Sequence, residues 1–419
     1  MKQLLHEYAG VLAVRQARLV LGASVVSMVG DATALVALLL KLHEEGHGPL
    51  AVMALLICFA LPIVATMGLA GSVADSHDPR RVLVLALAVQ AAGAIGLVVA
   101  PSVVWVCAAA VVMQTGFAFA NPVWSAVMPR VVGEDLSGTY VSLAQGMRAV
   151  ASPIGAAVAG VVVEHWGSRT ALAVNAASFV GLIGAALALR VGRVGAPVGE
   201  RERWRRSSLL PRDGVTVLRR DPVLATLVFA IVPLILTIEA VNAVEVFLVR
   251  GDLGATPRQY GMAEACAGVG AVLGSFAAAA IRSRPARIRG LLLGIAVVPL
   301  AQIVQGLAPT LGAYAGAAFV VGLALGIVNA LIFALLLREI GEVDRGKVIT
   351  LVSGLSRSAT IGALTLGGVL GTLVGARTAY VICGSAGLLI AAAAALRVQR
   401  PVHRSVDSDS TQWSVPTGR

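Results

Sequence analysis

The chain of 419 residues is 58% hydrophobic and only 13% charged, with a mean hydropathy of +0.86. That balance leaves too little polar surface for a water-soluble fold of this length, so lipid must be the solvent for most of the protein. The formal net charge of +11 would suit a nucleic-acid partner only if it were clustered on one domain, and it is not.

Apolar runs of about 20 residues, the length that spans a hydrocarbon core as a helix, recur about twelve times. In chain order they lie at approximately 18–42, 50–74, 82–100, 103–127, 139–163, 170–189, 222–249, 259–281, 290–308, 311–337, 348–373 and 378–396. The runs are continuous and lack the alternation of membrane strands, which predicts helices. With the N-terminus in the cytoplasm, about 26 of the 33 Lys and Arg fall in the termini and even-numbered loops. The basic excess is therefore a topology signal that places both termini in the cytoplasm, and it needs no nucleic acid. The Arg-rich stretch 191–221 separates six spans from six. The predicted division is a bundle at 1–190, a cytoplasmic linker at 191–221, a second bundle at 222–397 and a disordered tail at 398–419. No leader peptide is expected, because the N-terminal stretch lacks an apolar core followed by a cleavage site.

Gly-rich spacings such as Gly312–Gly316, Gly322–Gly326 and Gly367–Gly371 suit close helix packing in lipid. Cys58, Cys107, Cys266 and Cys383 each fall in a different span, without metal-ligand spacing, and read as packing residues.

The two halves repeat. Asn121 recurs as Asn329, Gly133-Glu134 as Gly341-Glu342, Gly146 as Gly354, Gly160 as Gly368, Gly167 as Gly375, and Arg169-Thr170-Ala171 as Arg377-Thr378-Ala379. Every pair has one offset (329 − 121 = 208). Two matched bundles in a membrane suggest a transporter that rocks about a site between them.

Between the second and third spans runs Gly71-Ser72-Val73-Ala74-Asp75-Ser76-His77-Asp78-Pro79-Arg80-Arg81. It resembles the loop of the major facilitator superfamily, roughly G-x-L-A-D-R-x-x-x-R-R, with Val73 for Leu and Ser76 for Arg. The resemblance implies that Gly71, Asp75, Asp78, Arg80 and Arg81 form a gating loop. A degenerate copy, Gly274-Ser275-Phe276-Ala277-Ala278, has Ala278 at the place of Asp75. The stretch Asn121-Pro122 to Pro129 and the later Ser152-Pro153-Ile154-Gly155 are similar to segments of the bacterial drug and siderophore exporter branch. The implied fold is all-α, with twelve transmembrane helices in two pseudo-symmetric six-helix bundles. The implied activity is proton-coupled efflux of a small amphipathic compound; uptake or lipid flipping by the same fold is the second reading, and a non-transporting membrane scaffold or enzyme the third.

Charges inside spans are costly and are functional candidates by default. Asp31 lies in span one, with Ser27 one turn before it, and Arg148 lies in span five beside Gln145 and Ser152. If those spans are neighbours, as the resemblance implies, the two can pair, with Asp31 as protonatable switch and Arg148 tuning it. A static ion pair that sets helix register is the competing reading. Arg357 is the second-half counterpart of Arg148, with Glu239, beside Asn242 but farther out, as its candidate partner. Glu245 and Glu264 read as solvated carboxylates near the outer surface. Gln114, Phe117, Asn121 and Trp124 form a stripe at helical spacing, matched by Gly322, Gly326, Asn329 and Phe333. With Gln145 and Asn242 these are the candidate cavity lining for an amphipathic substrate.

No catalytic constellation appears. The six histidines fall in loops and termini, and no nucleotide-binding loop is present. The expectation is a transporter without cofactor or metal, not an enzyme. It would sit as a monomer in the lipid bilayer of a bacterial plasma membrane, and its partners would be protons and a small molecule.

Overall fold

A computed structural model of the chain describes residues 2–189, 216, 222–340 and 342–409. The expected linker at 191–221 lies almost wholly outside the described residues. A short helix α1 (Lys2–Ala13) leads into α2 (Arg15–Glu44), α3 (Pro49–Ser76), α4 (Pro79–Val99), α5 (Val103–Val132) and α6 (Glu134–Ala188). The second half holds α7 (Pro222–Asn242), a π-helical turn (Phe247–Asp252), α8 (Pro257–Ala279), α9 (Arg284–Leu307), α10 (Leu311–Glu339), α11 (Glu342–Val374) and α12 (Ala376–Asp409).

Among the described residues, 11 helices are long and apolar enough to cross a membrane. One of them, α6, has 55 residues, about 80 Å of helix against a hydrocarbon core of about 30 Å. It bends at Gly167, whose φ of 80° and ψ of 165° are non-helical, and so makes two passes. The result is twelve passes. Two expectations need correction. Span seven does not run unbroken to 249: α7 stops at Asn242 and the chain resumes as a π-turn. Residues 398–409, expected as disordered tail, continue α12 as helix, since extending an existing helix avoids the cost of nucleation.

The sequence repeat marks the turns. Gly46 and Gly254 both have positive φ, as do Gly167 and Gly375, and each pair is separated by 208 residues (254 − 46 and 375 − 167). Ser102 and Thr310 cap α5 and α10 at equivalent places, where a side-chain oxygen satisfies a free helical N–H. The Ala100 carbonyl accepts from buried Lys41 at 3.1 Å, and its counterpart, the Ala308 carbonyl, accepts from Arg377 at 2.9 Å. Cations from different helices thus close equivalent helix C-termini.

Helices close on one another through small residues. A Cβ at Gly116 would collide with the Ala86 carbonyl of α4, and Gly93 lies against the Met113 backbone of α5. On α10, Gly322 and Gly326 abut the carbonyls of Ala267 and Ala271 on α8, while Gly270 and Gly274 of α8 abut Phe319 and Leu323 in return. Gly312 and Gly316, the other expected packing pair on α10, have no neighbour within 4 Å. Replacement of Gly326 by Leu is expected to destabilise the detergent-solubilised protein by about 1–3 kcal/mol. Gly312→Leu, in the first turn of α10 with open space around it, should stay within about 0.5 kcal/mol of the parent. Thermal unfolding of the two variants measures the difference.

Candidate functional site

Among the described residues, the close contacts between the two halves gather at one end. Take as reference the side where α1 packs on the start of α6, with Glu7 accepting from Thr139 at 3.1 Å and Gly10 beside Leu136. Contacts between halves gather on the far side. There Gly160 of α6 approaches Pro257 and Arg258 of α8, Gly261 lies against Ala156 and Gly160, and Gly268 against Pro153. In symmetric fashion, Gly368 and Gly371 of α11 meet Met53 and Pro49 of α3. The far rim is tied by the Glu44–Arg250 ion pair at 3.2 Å, by the Arg258 N–H donating to Glu164 at 2.9 Å, and by His43 packed edge-on to Phe247.

Towards the α1 side this seam opens. Gly146, Pro153 and Gly160 recur at intervals of seven and so share one face of α6. Pro153 and Gly160 meet α8, whereas Gly146 has nothing within 4 Å. On α11, Gly354 and Gly368 repeat the pattern, with Gly368 against α3 and Gly354 meeting nothing. Among the described residues, the halves therefore meet at the far end and stand apart at Gly146 and Gly354 towards the α1 side.

Asp31 sits in the first half between α2 and the second arm of α6. The close approach needs Gly30, where a Cβ would lie 2.7 Å from Asn175 Oδ1 and 3.2 Å from Ser178 Oγ. Asn175 is the polar group beside the Asp31 carboxyl, without a hydrogen bond of standard geometry, and Arg148 acts on it at electrostatic range. The expected Asp31–Arg148 ion pair is thus not formed. The reason is level: α2 and the first arm of α6 run parallel, with Gly155 beside Val29 and Thr33. Arg148, seven residues earlier, lies roughly 10 Å nearer the α1 side.

Glu239 accepts from Asn242 Nδ2 at 3.1 Å, as their spacing predicts. It is also the repeat mate of Asp31 (239 − 31 = 208), a relation that counting from the start of span seven obscures. The side chains of Arg357 and Asp75 lie outside the described residues. Asp78 plays a structural part, since its carboxylate caps α4 by accepting from the N–H groups of Arg80 and Arg81 at 2.9 and 3.2 Å. Arg80 and Arg81 are exposed, and Gly71 has open space around it.

Glu245 and Glu264, expected as solvated carboxylates near the outer surface, are half-buried and hydrogen-bonded to tyrosines. They approach each other inside the second half at its far end. Tyr260 donates to Glu264 at 3.1 Å, Tyr314 donates to Glu245, and Tyr314 and Tyr380 share a hydrogen bond at 3.2 Å. All three tyrosines are fully enclosed. The repeat-equivalent positions of the first half, Ala37, Val52, Leu56, Val106 and Leu172, are apolar, and all but half-buried Leu56 are buried. The sequence held one clue to this knot. Tyr260, Tyr314 and Tyr380 each stand in the first turns of a helix that starts on the far side.

Of the expected cavity residues, Asn121, Gln145, Asn329 and Phe333 are exposed, while Gln114, Phe117, Trp124 and Asn242 are half-buried. Gly322 and Gly326 belong to the α8–α10 contact and do not extend the stripe of Asn329 and Phe333 into a cavity wall. A groove between α2 and the second arm of α6, lined by Arg18, Gly22, Gly181 and Gly184 among others, contains none of these residues.

The model of the Major Facilitator Superfamily matches residues 20–250 and 234–416, nearly the whole chain. The chain belongs to this superfamily. The uncharacterized MFS-type transporter YfiS of Bacillus subtilis (strain 168) is 24% identical over 377 residues, 87% of this chain and 88% of that protein. Among solved structures, the nucleoside transporter NupG superposes with a TM-score of 0.74 at 15% identity, over 91% of this chain and 99% of NupG. A bacterial homologue of the iron transporter ferroportin, in an inward-facing state, superposes with a TM-score of 0.71 at 14% identity, over 92% and 98%. These likenesses show the fold. The protein is a multi-pass membrane transporter of the major facilitator superfamily.

Two measurements test this geometry in the transporter. In a background without the four native cysteines, Ala149→Cys, on the opened face of α6, should react readily with a water-soluble thiol reagent. Ala156→Cys, seven residues on and packed at the α8 seam, should stay unlabelled. Tyr314→Phe removes the hydroxyl that serves the Glu245 carboxyl and should lower stability by about 1–3 kcal/mol, read as a fall in the thermal unfolding midpoint.

Proposed function

We propose that this transporter exports a small amphipathic organic compound (a drug, siderophore or secondary metabolite) in exchange for protons, by alternating access. The opening on the α1 side carries the reading. The bias of Lys and Arg towards that side supports placing it in the cytoplasm of a bacterial cell, with both termini there. An exporter in that posture is ready to load substrate from inside. The units that rock are the bundles 1–190 and 222–397, joined by the linker at 191–221, in a single monomer.

Asp31 is the residue expected to carry the proton. It is a carboxylate within a span, beside a buried amide and in the field of Arg148, and an intramembrane charge costs enough that function is its usual justification. Asn121, Gln145, Asn329 and Phe333 supply the mix of amide and aromatic surface that an amphipathic substrate needs. The similarity of the segments around Pro122 and Pro153 to the drug and siderophore exporter branch supports the direction. Inverted vesicles test it: acidifying the lumen should drive an amphipathic dye such as ethidium, or an antibiotic from a susceptibility panel, into the lumen. Asp31→Asn should reduce this acid-driven uptake to the level of empty vesicles. Unimpaired uptake in that variant would refute the assignment of Asp31.

A further inference from the structure

The neighbourhood of Asp31 holds more polar capacity than the protein itself satisfies. Asn175 is 1% exposed and Ser27 2% exposed, yet neither amide atom of Asn175, which stands beside the Asp31 carboxyl, nor the Ser27 hydroxyl makes a hydrogen bond of standard geometry among the described residues. Leaving a buried polar group unpaired costs about 1–3 kcal/mol, and buried polar groups are as a rule satisfied. Thr33, a little farther along α2, is by contrast served by the carbonyls of Val29 and Gly155 at 2.8 and 3.0 Å. Ser27 stands one turn before Asp31 on the same helical face, and the absent side chain of Gly30, the residue next to Asp31, lets Asn175 Oδ1 and Ser178 Oγ pack directly against α2. Ser178 donates to the Asn175 carbonyl at 2.7 Å, which leaves its oxygen lone pairs free.

We propose that Ser27, Asp31, Asn175 and Ser178 bind a hard metal cation between α2 and the second arm of α6. The donor set is a carboxylate, an amide oxygen and two hydroxyl oxygens, which suits oxygen-seeking ions and offers nothing to thiolate- or imidazole-preferring ones. Charge balance selects Na⁺. One carboxylate neutralises one positive charge, whereas a divalent ion would leave the donor set with a net charge inside the membrane, where charge is expensive. The site shares Asp31 with the transport reading, but its test reads binding, so either can fail alone.

Thermal unfolding of the purified full-length protein, titrated with NaCl against choline chloride at constant ionic strength, should show a saturable Na⁺-specific rise in midpoint. Ser27→Ala and Asn175→Ala keep Asp31 and should each weaken the apparent affinity about tenfold or more, the scale on which disturbing a metal site acts. Asp31→Asn should abolish the response. Asn175→Asp adds a second carboxylate and should move the preference towards Mg²⁺ or Mn²⁺. Equal midpoints in NaCl and choline chloride for the parent protein would overturn the site, as would a Na⁺ response that survives Asp31→Asn. Stabilisation of the parent by Mg²⁺ or Mn²⁺ in place of Na⁺ would overturn the choice of Na⁺. If cation binding fails while Asp31→Asn still abolishes acid-driven uptake, only the metal site falls.

Discussion

Close approach of helix backbones at glycine is the constraint on which this structure depends. In lipid, burying apolar surface gains little, because the tails are as apolar as the side chains, and association rests on packing and polar contacts. At Gly160 a Cβ would stand 2.7 Å from the Pro257 carbonyl oxygen, and at Gly368 one would stand 2.6 Å from Met53 Cβ. These two residues are repeat mates (368 − 160 = 208). One is the crossing of α6 with α8, the other of α11 with α3, so the repeat places the same small residue at both halves of the seal. The alignment of everything else follows, including the ion pair and the capped loops at the far rim.

Upon this symmetric frame the two halves bury different polar groups. The first keeps Asp31 with Asn175, Ser27 and Ser178 between α2 and α6. The second keeps Glu245 and Glu264 under three tyrosines at its far end, where the first half has aliphatic residues. The second cluster is internally hydrogen-bonded through its three tyrosines. The first has polar atoms left over. A satisfied network fixes a helix arrangement; an unsatisfied one has capacity for something that arrives from outside. That difference separates a structural role at the far end of the second half from a binding role in the middle of the first.

Spans, repeat and turns were legible because each depends on local chemistry. A run of about 20 apolar residues must be a membrane helix, and a glycine with positive φ marks a turn wherever it falls, as at Gly167 and Gly375. Pairing across helices was less legible, because depth along a span says nothing of where its neighbour's side chain ends. The spacing of Asp31 and Arg148 looked suitable, yet the parallel register set by Gly155 keeps them apart. Asp78 resembled part of a gate, but an Asp before Pro at a helix start is also an N-cap, and the cap is what forms. The tyrosine knot was hard to assemble because its members come from three helices and the segment between α7 and the π-turn, and Glu245 and Glu264 looked like surface acids by their nearness to span ends. Asn175 gave no signal at all: a single amide in an apolar run acquires meaning only when Gly30 brings α2 against it.

Gly146 and Gly354 give the repeat a further meaning. Within a helix, glycine costs roughly 0.5–1 kcal/mol relative to alanine, a cost offset at Gly160 and Gly368 by the close crossings they permit. Gly146 and Gly354 permit none here, since nothing lies within 4 Å of either. They are nevertheless on the same faces as the sealing glycines, two heptads earlier, and they are repeat mates as well (354 − 146 = 208). Glycines such as Gly312 and Gly181 also meet nothing, but they share no face with a crossing between the halves. Under the transport reading, a rocking motion that opens the far end must close the α1 side along these same faces. The surfaces brought together would then be α6 at Gly146 against α8 and α11 at Gly354 against α3. The four glycines would thus belong to two alternative seals, one formed at a time, and the offset of 208 would make each seal two-fold.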